Sequence, residues 1–215
     1  MRKSIKMAVF AGAACACMAG AGVSVKAADK VAINEKNFAP AVMEYAQNAD
    51  TNEDGFLSSK EASKVKKMRF DTRQYIDSFQ GVKYFTGLKK FIYEVAEYQQ
   101  DMTVAPDLDL SGMDKLEKVT IYSESMHIGT INLQNCTKLQ QLALIPDSEH
   151  MIYVDGINLR GCTNLDSFIC GGQTDQIDLS GLKKLEDVMF TGETETLNLD
   201  RCSKQIGRAS CRERV

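Results

Sequence analysis

The chain has 215 residues, of which 44% are hydrophobic and 26% charged, as expected of a soluble globular protein with one or two domains. Without residues 1–27 and 206–215, which are treated separately below, 19 Lys and Arg stand against 28 Asp and Glu, a net charge near −9 rather than −3. Nucleic acids and anionic membranes attract clusters of Lys and Arg. The acidic balance therefore excludes nucleic acid as a partner.

Residues 1–27 have the pattern of a secretory signal. Three basic residues come first, a run rich in Ala and Gly follows, and residues 25–27 offer a small-x-small cleavage site. A lipoprotein signal at Cys15 or Cys17, or retention as an anchor, is the alternative. The run is short of Leu and Ile, which favours cleavage. We expect a secreted or cell-surface bacterial protein, with no membrane insertion after the signal is removed.

A helix is predicted after residue 37 and opens a cap that covers residues 28–67. The apolar residues at helical spacing are Phe38, Val42, Tyr45 and Ala49. Asn37 is a plausible N-cap, and Pro40 falls in the first turn, where its missing N–H does no harm.

The segment Asp50–Glu61 fits the EF-hand calcium-loop pattern D-x-[DN]-x-[DN]-G-x5-E at every specified position. Calcium prefers six to eight oxygen ligands, and Gly55 permits the sharp turn that such a loop needs. The predicted ligands are Asp50, Asn52, Asp54, the backbone carbonyl of Phe56, Ser58 and Glu61. Leu57 is expected to point into the core, and a second helix to run through residues 61–67. The alternative is a turn rich in Asp, Asn and Gly that joins two helices.

A repeated apolar pattern extends from Leu108 to Gln205. Its units start at Leu108, Ile131, Ile157, Ile177 and Leu197, which lie 23, 26, 20 and 20 residues apart. Counted from these starts, apolar residues recur at columns two, five, eight, eleven and thirteen. This length and leucine spacing are typical of leucine-rich repeats, in which each unit supplies one short strand and a return segment. The shared register despite unequal lengths predicts a stacked solenoid with its insertions in surface loops.

The solenoid is expected to cover residues 68–205. Met68 and Phe70 match the last two columns of a truncated first unit. A complete unit follows, with its columns two to thirteen occupied by Val82, Phe85, Leu88, Phe91 and Tyr93.

Four cysteines lie within the repeats, at Cys136, Cys162, Cys202 and Cys170. The first three share column five and the last occupies column thirteen, both interior columns. We therefore predict free buried thiols that act as small hydrophobic side chains. Disulfides between neighbouring units remain the alternative, because secretion permits them. No C-x-x-C or Cys/His spacing indicates a bound metal.

A ligand surface is predicted on the concave face. If columns eleven and thirteen point inward, then columns ten, twelve and fourteen point outward. Column twelve is mostly apolar, and contiguous exposed apolar area often marks an interaction site. The predicted ligand-binding residues are Ile92, Thr120, Tyr122, Ala143, Ile145, Ile169 and Met189. The alternative is a scatter of exposed apolar side chains without a binding role. His127 and His150 are placed in loops, and no catalytic motif is present.

The calcium-loop pattern, followed by G-V-K-Y-F-T-G-L-K-K-F and then by L-D-L-S-G units, resembles bacterial secreted leucine-rich-repeat proteins. It is more distantly similar to internalins, whose repeats begin with a helical cap. The resemblance covers Phe38 to Gln205 and implies recognition of a surface ligand rather than catalysis. The chain departs from it after the strands, where the usual Asn is replaced by Glu124, Asp147, Gln173 and Glu193.

Residues 206–215 lose the repeat register and resemble the conceptual translation of a sequencing adapter. We expect a non-native tail there, and a solenoid that is truncated at its C-terminal end.

The sequence thus predicts an α+β chain: a short helical, EF-hand-like cap followed by a leucine-rich-repeat solenoid with parallel strands on its concave face. The predicted function is non-catalytic recognition of a protein or glycan ligand, with a structural calcium ion in the cap. One alternative is a dockerin-like attachment module, although such modules carry two calcium loops and one is found here. The other is the binding portion of an enzyme whose catalytic domain lies outside this sequence.

Overall fold

The computed structural model describes residues 30–72, 76–95, 106–123, 126–146 and 152–202. The predicted signal, the predicted non-native tail and His150 lie outside these residues. Within them, no helix has the length and apolar character needed to cross a membrane.

In chain order the elements are β1 (Lys30–Ala32), α1 (Pro40–Ala49), β2 (Phe56–Ser58), α2 (Ser59–Ala62), β3 (Lys67–Thr72), a 3-10 turn (Val82–Tyr84), β4 (Lys90–Val95), β5 (Leu108–Asp109), β6 (Lys118–Ser123), β7 (Met126–Asn132), β8 (Gln141–Pro146), β9 (Ile152–Asn158), β10 (Ser167–Cys170), β11 (Gln176–Asp178), β12 (Asp187–Phe190) and β13 (Thr196–Asn198).

Stacked parallel strands form a solenoid, and its largest sheet has six strands in the order β12-β10-β8-β6-β4-β3. We call it the front sheet. It contains columns ten to fourteen, paired without a register shift from one turn to the next. The truncated first unit is confirmed, because Met68 pairs with Phe91 and Phe70 with Tyr93.

The prediction of one strand per unit is wrong, because the unit starts also form strands on the opposite side. Strands β5, β7 and β9 make one parallel sheet, and β11 and β13 make a second. We call these the back sheets. The reason lies in columns zero and two, where apolar side chains alternate with polar ones at the two-residue period of a strand. Parallel pairing with the next turn then satisfies the backbone N–H and C=O groups.

Most residues of the predicted interior columns are buried, whereas Ile157, Leu197, Leu199 and Cys202 are half-buried. In one complete unit Leu108, Leu110, Leu116, Val119 and Ile121 are all 0% exposed, and Met113 is 4% exposed. All four cysteines of the repeats are free, as predicted. The core is a single cluster that also includes Phe38, Val42 and Ala46 of the N-terminal region.

The N-terminal region covers the first edge of the front sheet. The hydroxyl of Tyr45, on α1, accepts a hydrogen bond from the Arg69 N–H and donates one to the Arg69 carbonyl, both at 2.7 Å. Because β3 is the edge strand, these bonds satisfy backbone groups that no neighbouring strand reaches.

Two details of the predicted cap differ from the structure. Asn37 is not the N-cap of α1: its side-chain amide donates to the Ala32 carbonyl (2.9 Å), and Ala39 is the N-cap residue. The predicted second helix through residue 67 is a single turn, because the chain enters β3 at Lys67.

Side chains in column one tie the back-sheet turns together. Asn132 donates from Nδ2 to Asp109 Oδ1, and Asn158 donates to Asn132 Oδ1, both at 3.1 Å. In the five units from Leu108 onward the column-one side-chain oxygen also accepts the N–H two residues on, as when Asn132 Oδ1 accepts from Gln134 at 3.2 Å.

The column-five thiols form a second set of ties. Cys136 Sγ donates to the Leu110 carbonyl at 3.1 Å, and Cys162 Sγ to the Leu133 carbonyl at 3.0 Å. Cys202 Sγ donates in the same way to Leu179. Each thiol therefore joins its own turn to column two of the preceding turn.

The back sheets are separated by a gap between β9 and β11. Within each back sheet the column-two N–H donates to the column-one carbonyl of the next turn, at 2.9 Å from Leu110 to Asn132, from Leu133 to Asn158 and from Leu179 to Asn198. Within the described residues no such bond joins Leu159 to Asp178. Column five of this turn holds Leu182 instead of cysteine, so the thiol tie is also missing. The gap and the missing tie coincide.

Candidate functional site

The calcium-loop candidate folds around the carboxylate of Asp50. Its Oδ2 accepts a hydrogen bond from the Gly55 N–H at 2.9 Å, and its Oδ1 accepts one from the Asp54 N–H at 3.3 Å. The side-chain amide oxygen of Asn52, Oδ1, also accepts from the Asp54 N–H, at 3.3 Å. Gly55 has a φ of 78°, the left-handed conformation that glycine adopts without strain. Three predicted ligand side chains are thus directed toward one turn.

Glu61 is held by four hydrogen bonds from its own neighbourhood. Oε1 accepts from the N–H and hydroxyl of Thr51 at 2.9 and 3.0 Å, and Oε2 from the N–H and hydroxyl of Ser58 at 3.1 and 2.6 Å. The Ser58 hydroxyl, followed by these other donors, lowers the pKa of Glu61 from 4.5 to about 2. Ser58 and Glu61 together form a capping box at the start of α2.

Strand β1 supplies both a partner strand and a cation to the loop. It pairs antiparallel with β2, with Val31 opposite Leu57, and Leu57 is buried as predicted. The Lys30 ammonium group contacts Asp54 Oδ2. This hydrogen bond lowers the pKa of Asp54 and raises that of Lys30. The positive charge of Lys30 therefore already contacts one predicted calcium ligand, Asp54.

The oxygen atoms of the loop suit calcium, but the Glu61 carboxylate is not free to bind the ion. Both of its oxygens accept hydrogen bonds from Thr51 and Ser58. Asp50, Asn52 and Asp54 present hard oxygen atoms, which calcium prefers. Among the residues that the structure describes, no group of three or more His, Cys, Asp or Glu side chains is arranged to hold a metal ion. A complete shell would require Glu61 to exchange its internal hydrogen bonds for the ion.

The predicted ligand surface lies on the outer side of the front sheet. Its column-twelve residues pair in register across five strands, in the order Ile92, Thr120, Ala143, Ile169 and Met189. Met189 is 49% exposed and Tyr122 is 42% exposed, while Ile92, Ile145 and Ile169 are half-buried. Five of the seven predicted residues are therefore accessible on one face.

The exposure expected for Thr120 and Ala143 is wrong, since they are 3% and 1% exposed. Both side chains are short and lie between Ile92 and Ile169 in the paired strands, so the longer neighbours cover them. Alternation along a strand predicts which way a side chain points, but its exposure depends also on the size of the residues beside it. Thr120 and Ala143 form the floor of the surface.

Strand β6 carries two buried hydroxyl groups, Thr120 under the outer surface and Ser123 in an inward-facing column. Within the described residues Thr120 Oγ1 and Ser123 Oγ have no hydrogen-bond partner. Unpaired buried polar groups are uncommon because each carries a desolvation cost. Sequence analysis missed Ser123, and a polar residue at the end of an apolar strand was the only signal available.

His127 and two interior cysteines make structural contacts. His127 lies in β7, not in the loop predicted for it, and its Nε2 is 2.7 Å from Asp155 Oδ1 on β9. Burial raises the pKa of Cys136 to about 11 and that of Cys162 to about 12. Both thiols are therefore protonated at neutral pH, whereas a cysteine nucleophile acts as a thiolate.

Comparisons of the chain with protein-family models, with curated proteins and with solved structures gave no match.

Proposed function

We propose that the chain is a non-catalytic recognition module of the leucine-rich-repeat class, secreted or displayed at a bacterial cell surface. The front sheet, which we take to be the concave face, binds a protein or glycan ligand. The observation that supports this is the row of accessible apolar side chains: Ile92, Ile169 and Met189 in column twelve, with Tyr122 and Ile145 beside it. Extended faces of solenoids are common binding surfaces.

The accessible residues are suited to an interface. Tyrosine and methionine are enriched in the centres of protein interfaces, where charged residues are depleted. Tyr122 combines a large apolar ring with a hydroxyl, and truncation of such an anchor often costs more than ~2 kcal/mol of binding free energy. Thr120 and Ala143 lie buried beneath the larger side chains, so a ligand would contact Ile92, Tyr122, Ile145, Ile169 and Met189.

The ligand surface is tested with two variants and one control. Tyr122→Ala and Ile169→Asp should abolish binding of the purified protein to a glycan array or to intact bacterial and epithelial cells. Thr130→Arg changes an exposed residue of β7 on the back side and should bind as the parent does. Retention of binding by both front variants, with loss in the back variant, would assign the ligand to the other side of the solenoid.

We also propose that calcium binds the loop from Asp50 to Glu61 and stabilises the cap. The sequence pattern and the convergence of Asp50, Asn52 and Asp54 support this. Because one calcium loop is present in the described chain, and because Lys30 and the Glu61 hydrogen bonds compete with the ion, affinity should be no tighter than ~10⁻⁴–10⁻³ M, the range of extracellular modules. The role is structural: a solenoid needs a terminal cap to cover its first turn.

Calorimetric titration and melting in calcium or EDTA test this proposal. Calcium should raise the melting temperature of the parent, and Glu61→Gln should remove most of that rise. Lys30→Met should bind calcium more tightly than the parent, since it removes the competing ammonium group. A parent melting curve unchanged by calcium would overturn the calcium proposal without affecting the ligand surface.

A further inference from the structure

Three lysines of the front sheet occupy the same column on neighbouring strands. All stand in column ten, where Lys67 of β3 pairs with Lys90 of β4, and Lys90 pairs with Lys118 of β6. We call these three residues the lysine row. Neighbouring strands lie about 4.8 Å apart, so the backbones of the two outer lysines are about 10 Å apart. Like charges on directly paired residues destabilise a sheet, and the row contains two such pairs.

No carboxylate of the described chain neutralises the lysine row by direct contact. Lys67 and Lys90 are exposed, and Lys118 is half-buried. Within the described residues none of their ammonium groups forms an ion pair or a hydrogen bond. The adjacent Lys89 differs, because its Nζ is 2.6 Å from Glu117 Oε1. The row therefore presents three positive charges that are available to an anionic partner.

The surroundings of the row add further positive charge. The four residues that end at the first residue of β3, β4, β6 and β8 span 64–67, 87–90, 115–118 and 138–141. We call these segments the basic corner. They contain one carboxylate, Glu117, and eight of the 19 Lys and Arg residues between positions 28 and 205. The eight lysines are Lys64, Lys66, Lys67, Lys89, Lys90, Lys115, Lys118 and Lys138.

The Glu117 carboxylate shows that these lysines act at one place. The hydrogen bond from Lys89, followed by the nearby charges of Lys89, Lys90 and Lys138, lowers the pKa of Glu117. Lys90 belongs to the turn before Glu117, and Lys138 belongs to the turn after it. Positive charge from both neighbouring turns is therefore concentrated around a single negative group.

The backbone that carries the row is fixed by hydrogen bonds between turns. The Lys66 carbonyl accepts the N–H groups of Lys89 and Lys90 at 2.9 and 3.1 Å. The Lys89 carbonyl accepts those of Glu117 and Lys118 at 2.8 and 3.0 Å. A ligand therefore has only side chains to order on binding, which lowers the entropic cost of association.

Column ten changes its charge along the front sheet. After the three lysines it holds Gln141, Ser167 and Asp187. In these later strands the outer face instead exposes apolar side chains, such as Ile169 and Met189 of column twelve. The lysine row and most of the apolar ligand surface are therefore separate regions of one sheet.

A linear polymer with repeated anionic groups fits the lysine row. An acidic polysaccharide carries its charges one sugar apart, and a pyranose ring spans close to one strand-to-strand step. Lysine is a compact charge on a flexible stem, so it can follow groups that point in different directions. Double-stranded DNA fits less well, because it carries one negative charge per ~1.7 Å of helix axis. Outside the basic corner, 11 Lys and Arg stand against 27 Asp and Glu between positions 28 and 205, which would repel so dense a charge. The predicted secretory signal also favours an extracellular polymer.

We propose that the lysine row binds an acidic polysaccharide, whose carboxylate or sulfate groups contact Lys67, Lys90 and Lys118 in succession. The site adjoins the apolar ligand surface of the front sheet and depends neither on that surface nor on the calcium loop.

Calorimetric titration with polygalacturonate, dextran sulfate and neutral dextran tests the proposal. The first polymer carries carboxylates and the second carries sulfates, so the pair distinguishes the two anionic groups. At least one of them should bind, and neutral dextran should not. The triple variant Lys67→Gln/Lys90→Gln/Lys118→Gln should weaken binding roughly a hundredfold, at about fivefold per lysine. The triple variant with arginine at the same positions keeps the charges and should retain binding.

A matched control removes the same charge elsewhere. Lys36→Gln/Lys83→Gln/Arg160→Gln changes exposed residues outside the basic corner and should bind the polysaccharide as the parent does. The glutamine variant of the row should melt no lower than the parent, because it removes two like-charge pairs. Tyr122→Ala, in the apolar ligand surface, should also bind the polysaccharide normally.

Three results would each overturn the proposal. The first is that neither anionic polymer binds. The second is that the row variant and the control variant bind equally well, which would mean that only the overall charge matters. The third is that double-stranded DNA or polyglutamate binds at least as tightly as the better polysaccharide. Loss of binding in Tyr122→Ala, with binding retained in the row variant, would place the polymer on the apolar surface and would likewise exclude the lysine row.

Discussion

The front and back of this solenoid are built from the same repeats, yet one side is continuous and the other is interrupted. The front sheet pairs six strands without a register shift, whereas the back consists of a three-stranded and a two-stranded sheet. At the interruption column five holds Leu182, whereas Cys136, Cys162 and Cys202 hold it in the three turns that stay bonded to the preceding back turn. Continuity on the back therefore depends on ties made by individual side chains.

Strand length explains why the contact beside the gap depends on a single side chain. Strands β7 and β9 have seven residues each, whereas β11 and β13 have three. Each paired residue contributes backbone hydrogen bonds. A strand as short as β11 has few of these, so the loss of one thiol donor removes a large share of what would hold it to β9.

The largest effect on stability is expected from replacing one interior leucine on each side of the solenoid by alanine. Leu142→Ala, in the continuous front core at 0% exposed, should cost ~2–5 kcal/mol of unfolding free energy. Leu182→Ala, at the border of the gap, should cost distinctly less, because its side chain already faces a cavity and fewer packing contacts are lost. Urea unfolding of both variants measures the difference. Equal costs would show that the gap is closed in solution.

The next effect is a loss of stability in alkali. Burial raises the pKa of Cys136 to about 11 and of Cys162 to about 12, against an ordinary 9.0, so the folded state keeps protons that the unfolded state releases. The stabilisation is complete below pH 9 and is lost as the pH rises toward these values. In that window each thiol should lower the free energy of unfolding by ~1.4 kcal/mol per pH unit.

The double variant Cys136→Ala/Cys162→Ala provides the control for the alkaline effect. Its unfolding free energy should fall less steeply above pH 9 than that of the parent, as measured by urea unfolding at a series of pH values. Parallel pH profiles for the two proteins would show that other groups cause the decline.

A smaller effect is expected at the first edge of the front sheet. Tyr45→Phe removes the hydroxyl that bonds both backbone groups of Arg69, and should cost ~1 kcal/mol, the net value of a hydrogen bond that water can partly replace. Chemical unfolding gives the cost. The near-ultraviolet signal of Phe70 should be unchanged, because its ring still packs edge-on against the ring at position 45. An unchanged stability would mean that the edge of β3 is not closed by α1.

The smallest expected effect is local and leaves the global stability unchanged. The amides of Leu159 and Gly161 should exchange with deuterium faster than those of Leu133 and Asn135, which occupy the same columns in an intact contact. Local opening without loss of the core explains such a difference. Equal protection at all four amides would mean that the back sheets join in solution.

Sequence analysis predicted the front of the molecule well, because apolar periodicity reports which side chains are buried. The truncated first unit, the free thiols, the burial of Leu57 and most of the interior columns are confirmed, whereas Ile157, Leu197, Leu199 and Cys202 are half-buried. The back strands were missed because the L-x-L pattern was assigned to the return segment, although its two-residue period is that of a strand. The burial of Thr120 and Ala143 depends on which residues adjoin them in neighbouring strands, and one strand alone does not specify that.

The candidate sites were predictable to different degrees. The loop residues from Asp50 to Glu61 follow from their spacing, whereas the contact of Lys30 with Asp54 depends on the pairing of β1 with β2. The gap had one signal in the sequence, the change from cysteine to Leu182. That signal acquires a meaning only when the thiol contacts of the other turns are known, since cysteine and leucine are both apolar residues suited to an interior column.

Column four of five successive repeats holds a residue with a left-handed backbone conformation, and this recurrence determines how such a chain can lengthen. Gly112, Asn135, Gly161, Gly181 and Arg201 all have a positive φ, between 60° and 84°, so each repeat makes the same backbone turn whatever residue stands there. The side-chain ties likewise connect each repeat only with its neighbour. A duplicated 20-residue segment would therefore bring its turn and its ties with it. Gene duplication can extend this architecture, and the residue placed at column five of each new copy decides whether it closes against its neighbour or leaves another opening.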